Sequence, residues 1–274
     1  MMQDNKTIII ILLILALFTG ATIELAEGSS YVGVALLVIA AVLFTRIRLT
    51  KSVILKNSRL YIVLGLFIVF SDLLYNFITH SSLGTLDSMT FFLGISLIAF
   101  GINKPQLHSL GEFGAYISAV FIALFLIFYS MFGALKIDFL HLFDHYLVLM
   151  PTVAMIKILG IPVEIIATET VTLYGAEPMT IVIGGPCSGL YSMFLLVGIV
   201  AGYSRMEKMD FRKSLQLLGF AVLVAYIANL VRVLILYISA YLYGIDVMMM
   251  VHTHIGWMIF AFTAGIIMYI MNRK

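Results

Sequence analysis

The sequence predicts an all-α protein that crosses a membrane about eight times, on the evidence of its composition, its apolar runs and its charge distribution. Of the 274 residues, 62% are hydrophobic and 11% are charged, whereas a soluble domain carries about 25% charged residues. Apolar runs of roughly 18 residues or more, long enough to cross a hydrocarbon layer about 30 Å thick, recur along the chain. We therefore expect one integral membrane domain over residues 1–274.

Eight apolar helical segments are predicted from the hydrophobic pattern. They cover residues 7–24, 30–45, 60–79, 88–102, 113–134, 186–204, 213–240 and 251–271. No small-residue cleavage site follows the first segment, so we expect a retained helix and not a removed signal peptide. The single cysteine excludes an internal disulfide, a C-x-x-C redox pair and a cysteine-rich metal site, and we expect no metal or cofactor.

The basic residues predict the side of the membrane that each loop faces. Lysines and arginines cluster in the loops 46–59 and 205–213, and short loops of this kind stay cytoplasmic. Eight spans with a cytoplasmic N-terminus place 13 of the 16 basic residues inside; Lys136, Lys157 and Arg232 fall outside. Both termini are therefore expected to be cytoplasmic.

The apolar segment 146–160 is interrupted by Pro151 and Lys157. If it crossed the membrane, the basic loop 205–213 would move to the outer side. We therefore predict a helix that lies in the outer interface, or dips in and returns.

Residues 162–185 are rich in Val, Ile and Thr, with "GAEP" as a turn between two extended runs. This pattern predicts a short β-hairpin on the outer surface. The outer segment 135–185 would thus join a five-helix part, 1–134, to a three-helix part, 186–274.

Three polar side chains on consecutive predicted spans share one depth. Cys187, Arg232 and His252 lie 18, 19 and 21 residues from the basic residues that end their helices on the inner side. At 1.5 Å per residue these separations are about 27, 28 and 31 Å, which is the outer edge of the hydrocarbon core.

This set of side chains suits nucleophilic catalysis. A thiol attacks as its thiolate, which a helix N-terminus and a nearby arginine both favour; "GGPC" fits a helix start, with Pro186 at the first position. His252 would act as general base and acid. Asn229 shares a helix face with Arg232. In the alternative interpretation, the cysteine is an inert small hydrophobe and the arginine reaches toward lipid headgroups.

Other polar groups carry weaker signals. Asp72 and Asn76 share a face of the third predicted span, where they suit either function or helix packing. His141, Asp144 and His145 have a spacing compatible with metal binding, but they lack a fourth ligand. No nucleic-acid-binding pattern is present.

Three motifs resemble the signature of the exosortase/archaeosortase family: "PCSGLYS", "NLVR" and "HTHIGW", in order on consecutive helices. The resemblance spans about residues 160–260. It implies a membrane-embedded cysteine transpeptidase of the plasma membrane, whose active site faces outward. Substrates would be surface proteins that end in a recognition motif, a transmembrane helix and a basic tail. The cleaved C-terminus would pass to an acceptor such as a lipid amine.

By position, the resemblance makes Cys187 the nucleophile, Arg232 the essential arginine and His252 the histidine, since His252 stands four residues before Gly256. Supporting or substrate-binding residues would be Ser188, Gly189, Asn229 and His254. The compact chain without a fused outer domain favours the archaeosortase branch. A small-solute transporter or a lipid-binding protein without catalysis is the alternative, although the sequence has no inverted repeat typical of transporters.

Overall fold

The computed structural model describes residues 14, 17, 30–44, 58–79, 84–183 and 188–271. The described chain is mostly helical and contains one small sheet. Its helices are α1 (Ser30–Phe44), α2 (Ser58–Thr79), α3 (Thr85–Gly101), α4 (Pro105–Leu126), α5 (Phe132–Ala134), α6 (Phe139–Phe143), α7 (Met150–Ile158), α8 (Leu190–Met206), α9 (Phe211–Tyr243) and α10 (Ile245–Met271). Its strands are β1 (Val163–Ala167), β2 (Thr170–Tyr174) and β3 (Pro178–Val182).

The predicted multi-pass membrane character is confirmed. Within the described residues, five helical segments are long and apolar enough to cross a membrane: Arg59–Thr79, Leu107–Tyr129, Phe139–Ile158, Phe211–Tyr243 and Ile245–Ile267. Two shorter apolar helices, α3 and α8, accompany them. The first predicted span, 7–24, lies outside the described residues except for residues 14 and 17. The count of eight spans and the sidedness of the loops stay predictions.

Several predicted helix boundaries are wrong, and Pro and Gly explain two of the largest errors. The fifth predicted span was expected to begin at 113, but α4 begins at Pro105, which occupies the first helical turn where no N–H is needed. The last span was expected to begin at 251, but α10 begins at Ile245, directly after Gly244. Hydrophobicity locates a helix's apolar core and misses polar first turns.

The segment predicted to lie in the outer interface is a continuous helical run from Phe139 to Ile158. Its middle, Asp144–Leu149, is π-helical and leads into Pro151 near the start of α7. A proline removes one backbone donor and crowds the preceding turn, which a π-helical turn can accommodate. Because this run is long and apolar enough to span, its interfacial placement stays a prediction.

The chain forms two compact units, and both α8 and α9 run from one into the other. In the unit that contains residues 47–131 and 194–222, small residues allow close helix crossings. A Cβ atom on Gly65 would lie 2.5 Å from the carbonyl oxygen of Gly94, and one on Gly198 would lie 2.8 Å from that of Ile117. Close backbone approach of this kind is how helices associate in a membrane.

The second unit contains residues 132–193 and 223–274 and carries the sheet. The three strands are antiparallel in the order β1-β2-β3. The predicted turn at "GAEP" is confirmed between β2 and β3, but the single extended run predicted before it is two strands, β1 and β2, joined through Thr168 and Glu169. The sequence "TET" gave no Gly or Pro to mark that second turn.

The β2–β3 turn is fixed to the end of α9. The backbone N–H of Ala176 donates to the carbonyl oxygen of Tyr241 at 2.8 Å. A Cβ atom on Gly175 would lie 2.5 Å from that same oxygen and 2.7 Å from the Tyr241 Cα. Since only a residue without a side chain allows this approach, Gly175 holds the sheet against α9.

Gly244 forms the corner between α9 and α10. Its φ of +82° belongs to the left-handed region, which ends α9 and lets the chain start again as α10. Glu177 Oε1, from the β2–β3 turn, accepts a hydrogen bond from the backbone N–H of Ile245 at 3.0 Å. A carboxylate is stabilising at a helix N-terminus, so the sheet also caps α10.

The β1–β2 turn binds the start of the Phe139–Ile158 run. His141 Nδ1 pairs with Glu169 Oε1, and His145 Nδ1 lies 2.6 Å from the carbonyl oxygen of Thr168. The sheet is thus tied at one end to this helical run and at the other to the α9–α10 corner.

Replacing Gly175 with alanine is expected to lower the thermal unfolding midpoint in detergent, because the new Cβ meets backbone atoms of Tyr241 that cannot rotate away. The expected cost is about 1–3 kcal/mol. Gly219→Ala is the control, since a Cβ there on α9 meets no atom within 4 Å and alanine favours the helix. Equal midpoints for Gly175→Ala and wild type would contradict this account of the turn.

Candidate active site

The motif "PCSG" follows the last strand of the sheet. The backbone N–H of Ile183, directly after β3, donates to the carbonyl oxygen of Glu169 at 2.7 Å, which extends the β2–β3 pairing by one residue. Cys187 and Pro186 lie outside the described residues. The motif is therefore traced through its second half, Ser188 and Gly189.

Asn229 of α9 holds the backbone that follows Cys187. Its Nδ2 donates to the carbonyl oxygen of Ser188 at 2.6 Å. Both residues are buried, with exposed fractions of 5% for Asn229 and 1% for Ser188. A buried carbonyl without a donor lowers the free energy of unfolding. This hydrogen bond therefore allows the motif to pack against α9.

Gly189 is the second half of this contact. Its φ is +79°, and a Cβ built on it would lie 2.8 Å from the Cβ of Asn229. Both the left-handed backbone and the close approach require glycine. The sequence singled out Gly189 only as part of the motif; its specific partner is the Asn229 side chain.

The start predicted for the cysteine helix, residue 186, lies outside the described residues. Helix α8 begins at Leu190, and its first intrahelical bond runs from the Met193 N–H to the Gly189 carbonyl at 3.0 Å. The left-handed φ of Gly189 lies directly before this helix. Residues 184–187, which include Pro186 and Cys187, lie outside the described residues.

Arg232, three residues after Asn229, contacts the last motif. A Cβ built on Gly256 of α10 would lie 3.2 Å from Nη2, 3.4 Å from Cζ and 3.5 Å from Nε of Arg232. The guanidinium thus lies directly over the Gly256 backbone, in the space that a side chain would fill. Asn229 and Arg232, on adjacent turns of one face, connect the first motif to the third.

The pairing of Arg232 with Gly256 follows from the corner at Gly244. The two residues stand twelve positions before and twelve positions after Gly244. At 1.5 Å per residue each lies about 18 Å from the corner. Because these distances along α9 and α10 are equal, Arg232 and Gly256 lie opposite each other where α10 folds back on α9.

His252 is on the Arg232-facing side of α10, whereas His254 is not. His252 precedes Gly256 by four residues, which is about 40° around the helix, but His254 precedes it by two, which is about 160°. Both residues are partly buried. The helix geometry therefore favours His252 over His254 as the partner of the first two motifs.

The three motifs are staggered and not at one level. His252 lies about 6 Å closer to the Gly244 corner than Gly256 does, and Asn229 lies about 4.5 Å farther from it than Arg232. The order along the arms is thus Asn229 with Ser188, then Arg232, then His252. The sequence predicted one depth for Cys187, Arg232 and His252, and Cys187 lies outside the described residues.

The remaining polar candidates have local partners. In α2, Asn76 Nδ2 donates to the Asp72 carbonyl at 2.9 Å, and both residues are buried. His141 and His145 bind the β1–β2 turn, which accounts for their spacing without a metal. Among the described residues, no three His, Cys, Asp or Glu side chains group closely enough to hold a metal ion.

Two contacts of the candidate site were missed from the sequence. Gly256 was noted only as a spacing marker for His252, although a small residue opposite an intramembrane arginine indicates a close contact. Glu177 was assigned only to a turn, yet it caps α10 and so fixes where the third motif begins.

Replacing Asn229 with leucine removes a donor to the Ser188 carbonyl and keeps the side-chain size. We expect a loss of about 1–3 kcal/mol, since a buried hydrogen bond is lost, measured as a lower thermal unfolding midpoint in detergent. Gln216→Leu on the exposed part of α9 is the matched control. If the two variants unfold at the same temperature, the Asn229 contact does not hold the motif.

The family model of the transmembrane exosortases (Exosortase_EpsH) matches residues 25–269. No curated protein and no solved structure gives a significant match. The family match covers most of the chain, including the sheet and all three motifs. The chain therefore belongs to the transmembrane exosortase family.

Proposed function

We propose that this protein is a membrane cysteine transpeptidase that cleaves the C-terminal sorting signals of surface proteins and transfers the new C-terminus to an acceptor. One observation carries the proposal: Ser188 and Gly189 contact Asn229, and Arg232 on the next turn contacts Gly256. These contacts join the three motifs by which the family resemblance was identified. The cysteine transpeptidase chemistry of the exosortase family agrees with it.

Cys187 is the proposed nucleophile. Its thiol gives a proton to His252, and the resulting thiolate attacks the scissile carbonyl carbon, which forms a C–S bond and places negative charge on the carbonyl oxygen. When this intermediate collapses, the C–N bond breaks and the leaving amine takes a proton from His252. The surface protein is then held as a thioester, and its membrane helix departs.

Transfer reverses these roles. The acceptor amine gives a proton to His252 and attacks the thioester carbonyl; the C–S bond breaks and the thiolate returns. With a lipid amine the product is a lipid-anchored protein, and with water it is a carboxylic acid. We favour the lipid amine, in the archaeosortase branch of the family, at the outer face of the plasma membrane.

Arg232 is the proposed electrostatic group of the site. It is partly buried, in a helical segment that is long and apolar enough to cross a membrane. A charged side chain within such a segment is costly and marks a functional site. Between Asn229 and Gly256 it can favour the thiolate and the oxyanion of the intermediate. Helix α9, with 33 residues, is about 50 Å long, so it extends well past a 30 Å hydrocarbon layer.

Cys187→Ala and Arg232→Ala should each abolish processing of a co-expressed surface protein that ends in an apolar helix and a basic tail. Loss of the nucleophile removes the covalent route. Loss of the guanidinium removes charge stabilisation of the intermediate, which contributes about 10²–10³ in rate. The readout is the mass of the substrate at equal enzyme levels. Arg212→Ala, an exposed basic residue on the same helix, is the control. Substrate shortening by the Cys187→Ala protein would refute the nucleophile assignment.

A companion pair of variants assigns the histidine. His252→Ala is expected to lose processing and His254→Ala to keep it, because only His252 shares the helix face of Gly256. Full activity in both variants would remove histidine from the mechanism, and the reverse result would reassign the general base.

A further inference from the structure

Strands β1 and β3 are the two edges of the sheet. Strand β1 contacts helix α7, whereas β3 pairs only with β2 in the described chain. Three of its residues, Pro178, Thr180 and Val182, have exposed side chains, and that of Val182 is 63% exposed. Of the two edge strands, β3 is the one that leads directly into the cysteine motif.

The register identifies which backbone groups of β3 point away from β2. Ile183 donates to Glu169, opposite it in the β2–β3 register. Hydrogen-bonded pairs alternate along an antiparallel ladder, so Ile181 and Met179 also bond inward. The N–H and C=O groups of Thr180 and Val182, and the C=O of Pro178, therefore point outward.

No residue of the described chain bonds to these outward backbone groups. Pro178 fits the pattern, because proline in a sheet is confined to edges where its missing N–H would face outward. Unpaired edge groups form a template for another extended chain, and strand addition to such an edge is an established mode of peptide recognition.

We propose that the recognition segment of a substrate binds as a fourth strand on β3. This inference rests on the proposed function and assigns the place where the substrate is recognised. Val182 precedes Cys187 by five residues, which span at most about 17 Å. A peptide paired with β3 is thereby delivered to the thiol, and every second side chain of it lies beside Thr180 or Val182.

The anchored sheet makes β3 a rigid template. Its β2–β3 turn is bound to Tyr241 and Ile245, and its β1–β2 turn to His141 and His145. A preorganised edge loses little entropy when it pairs, so the substrate segment alone has to become ordered.

The single cysteine makes this inference testable by disulfide cross-linking. In a Cys187→Ala background, which has no other cysteine, Thr180→Cys is combined with single cysteines placed in turn along the substrate segment before its apolar helix. Adjacent strands bring opposite Cα atoms to about 4.5–5.5 Å, within disulfide range. We expect cross-links at every second substrate position.

Glu164→Cys is the matched control. Glu164, Thr172 and Thr180 form one cross-strand row, so Glu164 has the same height and face at the β1 edge, which does not lead into the cysteine motif. Its variant should give no alternating pattern. Equal cross-linking from both edges, or cross-links without period two, would overturn the inference. A disulfide between two copies of the Thr180→Cys protein in place of substrate cross-links would also overturn it, by assigning the edge to a second copy of the chain.

A proline substitution tests the hydrogen bonds themselves. Thr180→Pro removes an outward N–H and no bond to β2, and Thr180→Val retains that N–H. We expect about fivefold weaker substrate capture for proline than for valine, the effect of one hydrogen bond. Substrate capture is measured without turnover. If the two variants capture substrate equally, strand addition is contradicted, and processing by the wild-type enzyme still tests the proposed function separately.

Discussion

The hydrogen bond from Asn229 to the Ser188 carbonyl is the contact on which the arrangement of the candidate site depends. It satisfies a backbone group in a region where water is scarce, and it lets the left-handed turn at Gly189 pack against α9. The turn in turn sets where α8 begins. It thereby fixes the residues after Cys187 beside Arg232, one turn along the same helix.

The corner at Gly244 determines which residue of the third motif lies opposite Arg232. Two helices that leave one corner pair at positions equally far from it, which is why Arg232 meets Gly256. The register of that pairing is held by the sheet, since Glu177 caps α10 and Gly175 contacts Tyr241. The small sheet is thus both the frame of the helix corner and, through β3, the lead into the cysteine motif. An edge strand in this position suits a substrate that must be held in an extended form.

Sequence reasoning identified the membrane class, the three motifs and the turn at "GAEP", because hydrophobicity, spacing and Gly/Pro signals are local. It did not predict that α8 begins at Leu190, directly after the left-handed Gly189, because nothing in the sequence of Gly189 itself marks a left-handed φ. The turn through Glu169 carries no turn-forming residues, and its contacts are with His141 and His145, which are distant in sequence. The contact of Arg232 with Gly256 likewise depends on the corner at Gly244 and not on either local pattern.

The central claim is that Cys187 forms a covalent thioester with the substrate, and mass spectrometry of the enzyme tests it most directly. Enzyme purified with a co-expressed substrate should carry an adduct on the Cys187 peptide that equals the substrate without its apolar helix and basic tail. Hydroxylamine should release the adduct, since it cleaves thioesters. Processing of the substrate without any such adduct, or an adduct on another residue, would contradict the account.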